Sequence, residues 1–107
     1  MRWYKDLYIG EKVEDKIERI KWKVEHNAGL LSIYLITLPS NEENLMDIIP
    51  ATDLLQRAYP KRELFIIGIE KGYTQAAYMA AAIVSDVYTR TGTLNVKQFI
   101  LQQEADH

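Results

Sequence analysis

Two short segments carry the residue types best suited to binding or reaction: Pro39-Ser40-Asn41 and Glu70-Lys71-Gly72-Tyr73-Thr74. Each stands where an apolar run gives way to a helical pattern. A helix N-terminus offers free N–H groups and partial positive charge, which favour an anion. Lys71 adds a full charge, and Gly72 offers the positive φ that turns the chain into its helix. If both segments follow parallel strands they share one sheet edge, the usual place for a ligand in an open α/β sheet. The expected guest is a small anion such as phosphate, held by Ser40, Asn41, Lys71, Gly72 and Thr74. Opposing this, Ser40 and Thr74 cap helices with or without a ligand, and Glu42, Glu43 and Glu70 repel an anion. The spacing Gly68 to Gly72 matches neither a P-loop nor a dinucleotide fingerprint.

Other chemistry has less to work with. Ser32, Ser40 and Ser85 lack a GxSxG elbow and a neighbouring base. The chain has two histidines, His26 in a polar turn and His107 at the terminus, and no cysteine. Without a histidine, cysteine or carboxylate cluster, no metal site and no cofactor are expected. Asp47 and Asp53 straddle Pro50, but paired carboxylates on a solvent-facing helix do acid–base work only when their surroundings shift them. No catalytic residue is therefore assigned.

Of the elements that must position these residues, the plainest lie in Leu64–Gly92. Leu64 to Ile69 is unbroken apolar sequence, as in a strand covered on both faces. Gly68 leaves room for close packing, and Tyr73 or Thr74 opens a helix that runs to about Thr91, with Thr74 the better cap and Gly92 the stop. Leu30 to Leu38 is a second buried strand. Ser40 and Glu43 have capping-box spacing, and Leu45, Ile48, Ile49, Leu55 and Tyr59 continue a helical stripe to about Ala58, kinked at Pro50. Tyr59 to Arg62 turns the chain back. The order strand, helix, strand, helix predicts an α/β fold with a small parallel βαβα core and a right-handed crossover.

Val13, Ile17, Ile20 and Val24 make one stripe of an N-terminal amphipathic helix over residues 11–25, although Ile20, Trp22 and Val24 also alternate as a strand would. Lys12, Lys16, Arg19, Lys21 and Lys23 share that segment with five acids. Residues 1–10 are aromatic and fit either a short helix or a strand packed on the core. Asn95 caps a short C-terminal helix on Val96, Phe99 and Ile100, and residues 102–107 fray.

The helix after Gly72 has no charge between Lys71 and Asp86. That segment spans about 20 Å at 1.5 Å per residue, short of the roughly 30 Å core of a bilayer. Burial on two sides is the alternative: Tyr73, Ala77, Ala80, Ala81, Val84 and Tyr88 toward the sheet, and Tyr78, Met79, Ala82 and Ile83 toward another element or a second chain. Two central strands make a poor sheet, so the terminal segments or another copy must complete it. A homo-oligomer, a dimer by preference, follows as the expected state.

The 107 residues suit one domain, and the net charge of −2 with a pI near 5.7 gives no overall attraction for nucleic acid or anionic lipid. No nucleic-acid or membrane partner is expected. Met1-Arg2-Trp3-Tyr4 is not followed by an apolar signal-peptide core, so the expected location is the cytoplasm.

The segments NLMDIIPATDLLQRAYP, LFIIGIEKGYTQA and VYTRTGTLNVKQFIL together resemble a family of short, functionally uncharacterised bacterial proteins. The resemblance implies no activity and no site residue. The leading expectation is a non-enzymatic, self-associating interaction or scaffold module. The alternative is an anion-binding or enzymatic α/β protein using the strand-end crevice.

Overall fold

A computed structural model of the chain describes residues 1–41, 43–56 and 63–105. The fold is mixed α/β, and among the described residues it has a four-stranded sheet in the order β1-β4-β2-β3 and three α-helices. The strands are β1 (Arg2–Ile9), β2 (Ile33–Thr37), β3 (Asp47–Pro50) and β4 (Phe65–Lys71), and the helices are α1 (Ile17–Glu25), α2 (Tyr73–Thr91) and α3 (Val96–Ala105). Short 3-10 helices cover Glu11–Lys16 and Ala51–Leu55.

Helices lie on both sheet faces. One layer gathers Ile36, Phe65 and Ile67 under Ile83 and Val87 of α2 and Val96, Phe99 and Ile100 of α3. The other packs Leu35, Ile66 and Ile69 against Val13, Ile20, Val24 and Leu54. Covering both faces is why β4 reads as continuous apolar sequence. Residues 11–25 are helical as the Val13, Ile20 and Val24 stripe predicts, with a 3-10 first half, and the hairpin alternative falls.

The parallel core does not form. β2 pairs antiparallel with both β3 and β4, and the one parallel pair among the described residues is β1 with β4. The difference begins at Asp47–Pro50, which is a strand where the stripe predicts helix. Ile48 packs in the α2 layer, whereas Ile49 pairs with Leu35 and shares its opposite face. Neighbouring residues facing opposite ways satisfy the period of two, and β3 obtains ladder bonds that a helix broken by Pro50 would forgo. The span then needs no long crossover, and β2 and β4 run antiparallel. Of the remaining expected helix, Ala51 and Leu54 are buried in a 3-10 turn and Leu45 and Leu55 are exposed. Ala58, Tyr59 and the 59–62 turn lie outside the described residues, as do Glu42 and His107.

The terminal segments also resolve. Residues 2–9 form β1, an edge strand that carries Tyr4 and Tyr8 into the α2 layer. Asn95 Oδ1 accepts a bond from the Gln98 amide at 3.0 Å, capping α3 as expected. The expected frayed tail is helical through Ala105, and Glu104 Oε1 accepts from the Lys5 amide at 2.9 Å. With β1 and β3 supplied by the same chain, the sheet does not need a second copy to complete it.

Candidate functional site

The antiparallel β2–β4 pairing separates the two segments that a parallel sheet would bring together. Ile33 pairs with Lys71 at one end of β4, and Thr37 pairs with Ile66 at the other. Ser40 and Asn41 follow Thr37, so they lie at the sheet end opposite Lys71, Gly72 and Thr74. No single crevice holds these five residues.

Each half is also built differently from its expectation. No helix starts at Ser40. Asn41 Oδ1 accepts from the amides of Glu43 and Asn44 at 2.9 and 3.1 Å, closing a local turn. Asp47 fastens that turn to β3 by accepting from the Ser40 amide at 2.9 Å. At the other end, α2 starts at Tyr73 with Gly72 as its cap residue, and no side chain caps it. Thr74 lies inside the first turn. Gly72 has φ +87, as the turn requires, and its amide donates to the Ser32 carbonyl at 2.7 Å.

The α2 faces are assigned differently from the sequence expectation. Ile83 is fully buried within the chain, and Met79 packs on the same layer. A Cβ on Gly68 would stand 3.1 Å from Met79 Sδ, so this glycine does admit close packing. Tyr73, Tyr78 and Tyr88 are exposed by 59%, 69% and 57%. Tyr73 and Tyr88 therefore do not face the sheet, although Tyr73 meets Tyr34 edge-on at 5.7 Å between ring centroids. The inner stripe is Ala76, Met79, Ala80, Ile83 and Val87. The outer one is Thr74, Tyr78, Ala81, Ser85 and Tyr88, all exposed and uncharged, with Ala82 beside them.

Lys71 has different neighbours from those expected. A groove of about 230 Å³ between the first helical segment and the Leu30–Ile33 turn is lined by Lys12, Lys16, Arg19, Lys23 and Lys71. Among the described residues no carboxylate lines it. Among the described residues none of these five cations forms an ion pair. Its apolar lining includes Val13, Ile20 and Ile33, and Leu31 stands beside it 85% exposed. The spacing 12, 16, 19, 23 keeps the four helical cations on one flank, a signal present in the sequence and masked there by five interspersed acids. The convergence of Lys71 and Leu31 on that flank was not legible.

A second concavity, about 820 Å³, lies beside β3 and is lined in part by Leu38, Met46, Ile48, Phe65 and Lys97. Thr37, among its lining residues, has a buried hydroxyl oxygen with no hydrogen-bond partner among the described residues.

The groups considered for catalysis do not assemble. His26 ends α1, its Nδ1–H donating to the Trp22 carbonyl at 2.8 Å and its ring stacked on Trp22. Asp47 opens β3, whereas Asp53 lies in the following 3-10 helix. No group of three metal-ligating side chains occurs among the described residues. A part-buried link absent from the sequence reading joins β1 to α2: Tyr8 Oη donates to Asp86 Oδ2 at 2.8 Å, and the exposed Arg90 Nε donates to Asp86 Oδ1 at 3.1 Å. Burial, reinforced by the bond to Asp86, raises the Tyr8 hydroxyl pKa well above its ordinary value. Such a phenol keeps its proton and serves as a tie.

Glu70, only 9% exposed, has its carboxylate against the backbone of Gly10. A Cβ at Gly10 would overlap that carboxylate, so a side chain there would displace the end of Glu70.

No described helix is long and apolar enough to cross a membrane. Comparison with protein families, curated proteins and solved structures finds no match. The resemblance of the three segments consequently brings no residue assignment with it.

Proposed function

We propose that the protein is a non-enzymatic interaction or scaffold module that self-associates through the outer face of α2. The carrying observation is the exposed, uncharged series Thr74, Tyr78, Ala81, Ser85 and Tyr88. Its spacing of four, three, four and three is that of a helix–helix seam. About a two-fold axis at Ala81, an antiparallel copy sets Tyr78 near Ser85 and Tyr88 near Thr74. Large then meets small on either side of the axis, and Ala81 meets its own copy at the axis, as a self-complementary interface allows.

Two exposed tyrosines supply much of the contact, because aromatic side chains bury on the order of 150 Å² or more each. With the flanking small residues the face offers roughly 600 Å² per copy, close to the lower bound of about 1,200 Å² in total for a specific interface. The expected state is a dimer that forms at high micromolar concentration. The sheet is complete in one chain, so this reading rests on the α2 face alone, without Met79 or Ile83.

Sedimentation velocity over a concentration series tests it. Dimer should appear at high concentration and be abolished by Tyr78→Glu with Tyr88→Glu, which places like charges in the seam. A wild-type chain that stays monomeric throughout removes the proposal. The alternative of an anion or enzyme site at the strand ends loses its main premise, since Ser40-Asn41 and Lys71-Thr74 occupy opposite ends of the sheet.

A further inference from the structure

The geometry points to a second interaction surface, independent of the α2 face: the groove edged by Lys12, Lys16, Arg19, Lys23 and Lys71 docks on an anionic bilayer surface, with Leu31 entering the headgroup–acyl boundary. The first support is electrostatic. Five cations line this one groove, and the formal net charge of the whole chain is −2, so the rest of the molecule carries −7. A groove lined by cations alone among its charged residues is drawn to an anionic surface. Glu11, Glu14, Asp15, Glu18 and Glu25 belong to the same two helical segments, yet none of them lines the groove.

The second support is the position of Leu31. At 85% it is the most exposed large apolar side chain among the described residues. It sits in a turn completed by Ser32, whose φ is +66. The Ser32 carbonyl is in turn held by the Gly72 amide at 2.7 Å. The backbone thus fixes Leu31 at the tip instead of letting it fold onto the core.

The pairing of the two features selects the partner. Interfacial membrane binders combine Lys and Arg at headgroup level with an apolar side chain set among the lipids, and neither signal alone suffices. A nucleic-acid strand would use the cations but leave Leu31 in water, and among the described residues no aromatic ring lines the groove to stack on a base. A cation near an anionic surface is worth roughly fivefold in affinity, and burying a leucine at least roughly tenfold.

The test is cosedimentation of the full chain with vesicles of phosphatidylcholine alone and of phosphatidylcholine with about one-third phosphatidylserine, the leaflet chemistry that attracts basic segments. Binding should occur only to the anionic vesicles and weaken steeply with salt. Lys16→Glu with Arg19→Glu, both at exposed positions, should weaken it by roughly a hundredfold or more. Leu31→Ser should weaken it by roughly tenfold. Circular dichroism of each variant checks that the fold persists. Absence of binding to anionic vesicles at low salt overturns the proposal, as does unchanged binding by Leu31→Ser. Binding to a single-stranded oligonucleotide or to polyglutamate in place of vesicles likewise overturns it.

Discussion

The link between Tyr8 and Asp86 ties residues 78 positions apart across the edge of the sheet. The Tyr8 pKa is raised from 10.0 by burial first and the Asp86 bond second, and that of Tyr4 is raised mainly by burial. A raised folded-state pKa means that the native chain keeps these protons at a pH where the unfolded chain has begun to lose them. Their contribution is fully present below about pH 10 and is lost as pH rises through the folded values. Urea unfolding should therefore show stability falling between pH 9 and pH 11 more steeply in the wild type than in Tyr8→Phe. At neutral pH that substitution should cost about 1 kcal/mol, the usual worth of one hydrogen bond. An alkaline limb of equal slope in both proteins would show that the Tyr8 link does not set the pH response.

Within α2 the sequence pattern was legible as a helix, but its two apolar stripes could not be ranked. Alanine is small enough to suit either face, and tyrosine is amphipathic, so Ala77, Ala81, Tyr78 and Tyr88 carry little directional information. Ile83 is fully buried beneath the helix, while Tyr78 is 69% exposed. Ile83→Ala should destabilise the chain by about 2–5 kcal/mol, the range for a large-to-small change in a packed core. Tyr78→Ala, measured at a concentration where the chain is monomeric, should stay within about 0.5 kcal/mol of wild type. Denaturant midpoints of the two variants check the assignment of faces, and equal losses would contradict it. β3 taught the complementary lesson. Leu45, Ile48, Ile49 and Leu55 fit a helical stripe, but Pro50 spoils a helix interior and is tolerated at the end of an edge strand.

At the scale of the molecule, helices on both faces clamp one sheet, and β4 contributes to both cores through Ile67 on one side and Ile66 and Ile69 on the other. Such sharing predicts one cooperative transition. Trp3 and Trp22 belong to the β1–α1 side, whereas far-UV circular dichroism is dominated by α2 and α3 with 19 and 10 residues. Denaturation curves from tryptophan fluorescence and from dichroism should superimpose. Midpoints that separate would mean that the two helical layers unfold independently. The charge balance is also a matter of this scale, since a near-neutral composition conceals five cations gathered in one groove.

The amino-acid sequence by itself determined the existence of α2, α3, β2 and β4, the turn at Gly72 and the Asn95 cap, whereas the choice of helix over hairpin for residues 11–25 came from the tertiary structure. The former depend on local period, capping chemistry and backbone freedom, which act over a few residues. The tertiary structure alone decided that β2 and β4 run antiparallel, that residues 47–50 join the sheet, and that Ser40-Asn41 and Lys71-Thr74 lie apart. It also decided which α2 stripe faces the core and brought Lys71 and Leu31 beside the cations of the first helical segment. Strand direction and face choice arise from competition among distant hydrogen-bonding and burial partners, and no local pattern encodes the outcome of that competition.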